Sequence, residues 1–271
     1  MKRITGLLAL VALVGFSAPV LADVIDTGGL TIEASYAIDQ PSIGVRAVDP
    51  LSAYSNVTTF SGSAVTPAGA TGTSGTRVTA MVGDDCNFIS GAAGNNITTL
   101  RFSVANFNSA AFSANSMVRF YSDNSNSPGS FLAGFNFNAL SFPALSVSVV
   151  TFNIPVANQW AVPAGGKMWA GEAFYITTGT GTATTSLNNM GLGIYNPVDK
   201  GTSADEDFVS ATSGGTNTSA FVVNNPAGSV RNSPFTANPV ANYGWEFNAA
   251  PEPASLCLLA LGSLALIRRR R

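Results

Sequence analysis

The stretch Phe131-Leu132-Ala133-Gly134-Phe135-Asn136-Phe137 places an apolar side chain, three times a phenylalanine, at every second position. Side chains alternate between the two faces of a β-strand, so these residues would all lie on one face. A second stretch, Tyr243-Gly244-Trp245-Glu246-Phe247, shows the same alternation near the C terminus. Both predict strands that bury one face in a core.

Six further segments are rich in valine, isoleucine, phenylalanine and threonine and are also predicted to be strands. They are residues 97–105, 117–121, 147–154, 167–175, 190–195 and 219–223. Clusters of glycine, serine, threonine, asparagine and proline separate them and predict loops. These loops are residues 61–76, 124–130, 177–186 and 211–219. No helical periodicity is visible between residues 23 and 250.

Many short strands with frequent turn signals predict an all-β fold, specifically an antiparallel β-sandwich of jelly-roll type. A closed barrel is the alternative. The absence of a strict internal repeat argues against a propeller or a β-helix. Residues 97–195 resemble the strand-loop-strand pattern of many exported bacterial sandwich modules. Residues 23–250 are predicted to form one domain, because their number suits a single all-β core.

The residue inventory excludes most catalytic chemistry. The chain has no histidine, which removes Ser-His-Asp and Cys-His nucleophiles and the usual zinc sites. Neither Lys167 nor Lys200 has a serine three residues before it, and no phosphate-binding glycine loop is present. We therefore predict a protein that is not an enzyme and that carries no cofactor.

The C-terminal tail is the most specific feature of the sequence. A Pro251-Glu252-Pro253 box is followed by 14 uncharged residues, 254–267, and then by Arg268, Arg269, Arg270 and Arg271. As a helix the apolar run would be about 21 Å long, short of the roughly 30 Å hydrocarbon core, and therefore suited to a transient membrane hold. This predicted membrane segment includes Ala254, Leu256, Leu258, Leu261, Leu264 and Ile267. The arginines would remain cytoplasmic, which puts the body on the far side of the membrane.

The N terminus predicts the same topology. Lys2 and Arg3 precede an apolar run over residues 7–16, and residues 20–22 place a small residue before Asp23. This order is typical of a secretory signal peptide, residues 1–22, cut between Ala22 and Asp23. The signal helix and the tail helix would then flank a domain of residues 23–250.

The ordered set of box, apolar helix and terminal arginines, together with an export signal, resembles the PEP-CTERM family of exported bacterial proteins. The resemblance is limited to residues 251–271. It implies processing of the tail by the membrane peptidase exosortase, an envelope with an outer membrane as in Gram-negative bacteria, and release or surface attachment, often alongside exopolysaccharide production. Members often carry a valine just before the box, where this chain has Ala249-Ala250.

Removal of both ends changes the charge of the protein. Residues 23–250 keep 14 of the 15 acidic side chains but only 7 of the 13 basic ones, which gives a net charge of −7 against −2 for the whole chain. Such an acidic surface disfavours nucleic acid and anionic lipid as partners. It is compatible with divalent cations or neutral glycans.

Cysteine usage excludes an internal disulfide from the body. Of the two cysteines, Cys257 lies in the tail and Cys86 is alone in residues 23–250. A lone cysteine is most often a small buried apolar residue, although lipidation or cross-linking would also need a free thiol. We expect Cys86 to be buried.

Three sets of residues are candidates for binding or catalysis. Trp160, Trp169 and Trp245 would stack on sugars if their rings were exposed, as in a carbohydrate-binding module. Asp123, Asp205 and Asp207 supply oxygens for a structural calcium ion, although no complete calcium loop is present. Glu172 and Glu246 would form the carboxylate pair of a glycoside hydrolase if they converged in one cleft. Alternation between inward rings instead predicts that Glu246 points to solvent.

These observations predict an exported, non-enzymatic protein of the cell surface or extracellular matrix, with a structural or adhesive role linked to exopolysaccharide and biofilm. Its partners during export would be signal peptidase, exosortase and, transiently, the inner membrane. Extracellular polysaccharide is the expected partner afterwards. A carbohydrate-binding module and a glycoside hydrolase are the two alternatives.

Overall fold

The structure is a computed structural model and describes residues 23–25, 30–37, 48–66, 80–176, 186–204, 206–211, 228–232 and 242–251. Fourteen strands and one short 3₁₀ turn, Val156–Asn158, occur within these residues. The strands form two sheets whose neighbours pair antiparallel throughout, except for the first strand, which pairs parallel with the eighth. The predicted all-β fold with two antiparallel sheets is therefore confirmed.

The first sheet, sheet A, has seven strands in the order β1-β8-β7-β10-β5-β12-β13. Their bounds are β1 Asp23–Ile25, β5 Ala80–Asn87, β7 Phe112–Asp123, β8 Pro128–Phe142, β10 Lys167–Tyr175, β12 Glu206–Ala211 and β13 Gly228–Asn232. The hairpin of β7 and β8 is the longest pairing in the sheet. β10 lies beside it, between β7 and β5.

The second sheet, sheet B, is built around one long strand. Its strands are β2 Leu30–Ala37, β3 Ser52–Ser55, β4 Phe60–Val65, β6 Asn96–Asn106, β9 Ser146–Asn153, β11 Met190–Tyr195 and β14 Trp245–Ala250. β6 pairs with β9 along one edge. Its other edge is shared, because β14 occupies the first part and β11 the last part. β3 and β4 lie outside β14 and β11, respectively.

Aromatic rings from both sheets meet in one core between them. Phe120 of sheet A contacts the ring of Trp245 of sheet B edge-on, with centroids 6.0 Å apart. Phe102 of sheet B stacks on Phe137 of sheet A at 5.5 Å. Such offset and edge-to-face contacts are the favoured geometries of aromatic pairs. Face-to-face packing of two sheets through alternate side chains is the arrangement of a β-sandwich.

The predicted strands agree well with the structure where residues are described. β10 and β11 have the predicted bounds, and β6, β7 and β8 extend beyond the predicted segments at both ends. β4 includes residues 61–65, so the prediction of a loop from residue 61 is wrong there. The predicted strand over residues 219–223 lies outside the described residues, and a jelly-roll connection of the strands stays a prediction.

No helix in the described part of the chain has the length and apolarity needed to cross a membrane. Residues 1–22 and 252–271, which carry the predicted signal helix and tail helix, lie outside the described residues. The division of the chain at residues 22 and 250 likewise stays a prediction.

Candidate sorting site

The Pro-Glu-Pro box follows the last strand of sheet B without a linker. Within β14, Ala249 pairs with Ile97 and Ala250 pairs with Asn96, at the beginning of β6. Pro251 is exposed immediately after the strand. The rest of the box and the tail to Arg271 lie outside the described residues. The box therefore begins one residue beyond the folded sheet.

The inner face of β14 anchors this strand in the core. Trp245 and Phe247 are both fully buried, and their rings stack with centroids 6.1 Å apart. Phe120 of the opposite sheet meets Phe247 edge-on at 5.6 Å. β14 is thus held by the sandwich interior at Phe247, four residues before the box.

The outer face of β14 is held by a buried ion pair. Glu246 accepts a hydrogen bond at 2.6 Å from Nη1 of Arg101, on the neighbouring β6, and a second one at 3.1 Å from the hydroxyl of Ser55. Arg101 also contacts Asp49 at 3.3 Å, and the amide of Asn248 donates to the same carboxylate. Glu246 is fully buried. The prediction that it points to solvent is therefore wrong, because the segment preceding and including β3 contributes Asp49 and Ser55 to this face.

Glu172 has a different environment, in the interior of the sandwich. It shares its face of β10 with Met168, Ala170 and Phe174, which belong to the core. One carboxyl oxygen accepts a hydrogen bond at 2.6 Å from Ser116, and the other has no hydrogen-bond partner. Burial raises the pKa of the Glu172 carboxyl well above its usual value.

The structure does not bring Glu172 and Glu246 together. Glu172 belongs to sheet A and faces the interior, whereas Glu246 belongs to sheet B and lies on the outer face. Glu246 is neutralised by Arg101, and the core encloses Glu172. A glycosidase needs two carboxyl groups on either side of one bound sugar. This pair does not meet that requirement.

The three tryptophans are buried. Trp245 and Trp160 belong to the core, where Trp160 stacks on Phe120 at 4.8 Å. Trp169 lies on the outer face of sheet A and exposes 1% of its surface, and its indole N–H donates to Asp123 at 2.8 Å. Sugar stacking needs an open ring face. None of the three rings offers one here.

The calcium candidate Asp123 is surrounded by donors from neighbouring side chains. Besides Trp169, the ammonium group of Lys167 lies 3.7 Å from the Asp123 carboxylate and contacts the side-chain oxygen of Asn126. A divalent ion at this carboxylate would compete with a cation that is already present. The described residues contain no cluster of three or more acidic or cysteine side chains suited to a metal. A calcium ion in the protein stays an untested prediction.

The other two calcium candidates cannot be placed. Asp205 lies outside the described residues, and Asp207 is described only as a backbone position in β12, opposite Asp84.

A pair of adjacent buried aspartates joins three parts of the fold. The hydroxyl of Ser203 lies 3.1 Å from Asp84 and 3.0 Å from Asp85. Asp84 also accepts a hydrogen bond from the backbone N–H of Tyr243, and Asp85 forms an ion pair at 3.0 Å with Lys167. Burial, and then the nearby Asp85 charge, raises the pKa of Asp84 well above its usual value. The sequence shows the pair, but not that both carboxylates are enclosed.

Arg119 is a buried cation that sequence reasoning missed. Its guanidinium donates to the backbone carbonyls of Val118 and Phe135 and, at 2.9 Å, to the side-chain oxygen of Asn136. Burial lowers its pKa to about 10. Gly134 makes room for it, because a Cβ at this position would lie 2.6 Å from Cδ of Arg119. The sequence indicates this arrangement only through Gly134, a glycine within the otherwise regular alternation of residues 131–137.

Cys86 is fully buried in the core, as expected from the sequence. Burial, together with the charges of Asp84 and Asp85, raises the pKa of its thiol well above the usual value. The thiolate is the reactive form, so the native thiol should be inert.

We therefore expect that a maleimide reagent will not modify Cys86 in the native protein after Cys257 has been replaced by serine. Modification should appear only as the protein unfolds in urea, because reaction needs both solvent access and the thiolate. Mass spectrometry of the labelled protein across the urea transition checks this. Rapid labelling without urea would show that the thiol is accessible in the native state.

Comparison with known proteins identifies the C-terminal tail. A scan against protein-family models matches residues 249–271 to the PEP-CTERM protein-sorting motif. No curated protein and no solved structure matches the chain. The match begins at Ala249, within β14, and includes the box and the terminal arginines. The tail that leaves sheet B at Ala250 is a PEP-CTERM sorting motif.

Proposed function

We propose that this chain is an exported bacterial protein that is held in the inner membrane by its tail, cut near the Pro-Glu-Pro box by an exosortase, and delivered to the cell surface or extracellular matrix of a Gram-negative cell. The observation that carries the proposal is the sorting motif at residues 249–271, which begins where the folded sheet ends.

The physical properties of the tail support a temporary hold. Its 14 uncharged residues would span about 21 Å as a helix, which is less than a hydrocarbon core of about 30 Å. The terminal arginines would extend towards the cytoplasmic headgroups and fix the orientation. A marginal span of this kind retains the protein until cleavage.

The N terminus supports export of the body. The first residue of β1 is Asp23, the residue at which the mature chain would begin after removal of residues 1–22. Signal peptidase would thus cut directly before the first strand, and exosortase would cut near the box that follows the last one.

The body suits a structural or adhesive role better than either alternative. A carbohydrate-binding module with exposed tryptophans is disfavoured by the burial of all three rings. A glycosidase is disfavoured by the separation of Glu172 and Glu246 on different sheets. The acidic body, with a net charge of −7, would remain soluble among neutral exopolysaccharides after release. We therefore propose a non-enzymatic component of the matrix or biofilm.

Mass spectrometry of the exported protein tests the processing directly. We expect an N terminus at Asp23 and a C terminus close to the box, without the four arginines, because both ends are predicted to be removed during export. Replacing Pro251, Glu252 and Pro253 by alanine should leave the intact tail on the protein and keep it in the inner-membrane fraction.

A matched control is Pro143→Ala, which changes an exposed proline before β9. This variant should be processed like the original protein. Recovery of the full-length chain from the cytosol, with all four arginines and without membrane association, would contradict the proposal.

A further inference from the structure

Three connecting segments lie at the end of the sandwich from which the tail leaves, beside the β7–β8 turn at residues 124–127. We call this surface the tail-end rim and define it as residues 48–51, 88–95 and 154–166. Residues 48–51 precede β3, whose first residue, Ser52, pairs with Asn248 of β14. Residues 88–95 connect β5 to β6, and the bridge between Asn96 and Ala161 brings residues 154–166 to the same end.

The rim carries most of the exposed large apolar side chains of the described residues. Val156 exposes 81% of its surface, Leu51 exposes 72% and Ile89 exposes 38%. The other two such residues among those described lie elsewhere. Leu145 directly precedes Ser146, which pairs with Asn106 at the opposite end of β6. Ile32 lies within β2. The three rim side chains give this end of the sandwich an apolar surface that is available to a partner.

The rim is also nearly free of charge, although the body is acidic. Its 25 residues contain one charged side chain, Asp49, which is paired with Arg101. Two lysines border it: Lys200 donates to the backbone carbonyl of Pro50, and Lys167 is paired with Asp85 and Asp123. An uncharged apolar surface can approach an anionic lipid surface without repulsion and without the cost of removing ionised groups from water. Such a composition fits a membrane interface.

Chain length places the rim close to the membrane while the tail is inserted. Only Pro251, Glu252 and Pro253 separate Ala250 of β14 from the apolar run that begins at residue 254. Four extended residue steps reach at most about 14 Å. The headgroup zone on each side of the hydrocarbon core is itself about 5–8 Å thick. The end of the sandwich therefore has little room to stand away from the headgroups.

We propose that, before cleavage, the tail-end rim rests on the outer surface of the inner membrane, with Leu51, Ile89 and Val156 inserted into the headgroup region. This inference rests on the proposed function, because it requires an inserted tail. The rim would hold the sandwich upright and keep the box at the membrane surface, where a membrane peptidase acts. Three side chains are too few for stable binding alone, so cleavage of the tail would release the protein.

The inference can be tested with the full-length protein in vesicles of phosphatidylethanolamine and phosphatidylglycerol. In a Cys257→Ser background, Val156→Cys and, separately, Leu145→Cys are labelled with an environment-sensitive fluorophore, while Cys86 remains buried. The probe at residue 156 should shift to shorter emission wavelengths and be quenched by lipids that carry a nitroxide near the headgroup. The probe at residue 145, exposed at the opposite end, should show neither change.

The possible outcomes separate this inference from the proposed function. Vesicle-bound protein in which the probes at residues 156 and 145 respond alike would overturn the rim contact but leave the sorting proposal intact. Protein that fails to float with the vesicles would overturn both. As a second arm, Leu51→Asp should reduce quenching at residue 156, whereas Ile32→Asp should not, and unchanged tryptophan emission would show that both variants are folded.

Discussion

Replacing Glu246 with alanine is expected to destabilise the protein by about 3 kcal/mol, one of the largest effects of any single charged-residue substitution in the fold. Glu246 is fully buried and bonded at 2.6 Å to Arg101, whose side chain is itself only 10% exposed. Alanine would leave this cation without its closest counterion and the Ser55 hydroxyl with only its longer hydrogen bond, 3.4 Å to Asp199. Equilibrium urea unfolding, followed by the fluorescence of the buried tryptophans, measures the loss.

Asp49→Ala is the matched control, because Asp49 binds the same guanidinium. Its contact with Arg101 is longer, 3.3 Å, and its side chain is 23% exposed. Solvent screens a partly exposed pair, so we expect a loss of about 1 kcal/mol or less. Equal losses in the two variants would mean that burial does not decide the strength of these contacts, contrary to the structure-based expectation.

Loss of the ion pair between Glu246 and Arg101 should also affect the sorting site. Glu246 lies four residues before Ala250, the last residue of β14, and it ties β14 to β6 and β3. Loss of the ion pair would therefore loosen the strand from which the tail departs. The structural core and the processing site are thus connected through one short strand.

Periodicity in the sequence predicts the strands that place alternate apolar residues in the core. β10 and β11 could be bounded correctly because their flanks are glycine-rich or polar and their interiors are apolar. The aromatic alternation in β8 and β14 likewise reflects the side chains that meet between the sheets. For these elements, local pattern and tertiary burial agree.

Other strands depend on their neighbours more than on their own composition. β5 contains Gly83, Asp84 and Asp85, residue types that are depleted in strands, yet it lies between β10 and β12 and pairs with both. β4 contains glycine and two serines and forms because β11 offers it an edge. Pairing across long sequence separations decides these elements, and one sequence does not reveal it.

The sorting site can be predicted from the sequence because it is a linear motif. Its box, apolar run and arginines follow one another, so no knowledge of the fold is needed to recognise them. The two glutamates show the opposite situation. Alternation correctly predicts that Glu246 lies on the face opposite to Trp245, but whether that face meets solvent depends on β3 and the residues before it. A face can be predicted from sequence more easily than what covers it.

Substitution of Glu172 gives the second large expected change in stability. It is a gain in stability, whereas substitution of Glu246 gives a loss. The carboxyl has one hydrogen bond, from Ser116, and no charged partner among the groups that shift its pKa. Because burial raises its folded-state pKa, the folded protein retains a proton that the unfolded chain releases. The stability associated with this proton is fully present below the unfolded-state value near 4.5 and is lost as the pH rises through the folded-state value.

We therefore expect Glu172→Gln to stabilise the protein at pH 8 by about 2 kcal/mol and to leave its stability at pH 4 nearly unchanged. Glutamine has the same shape, can still bond to Ser116, and never has to carry a charge in the core. Urea unfolding at a series of pH values should show a smaller fall in stability with pH for the variant than for the original protein. Asp84, whose pKa is also raised by burial, should account for part of the remaining slope, so Asp84→Asn in the same background should reduce it further. An unchanged slope in Glu172→Gln would show that this carboxyl is not protonated in the folded core, because a group that does not change its protonation on folding contributes no pH dependence.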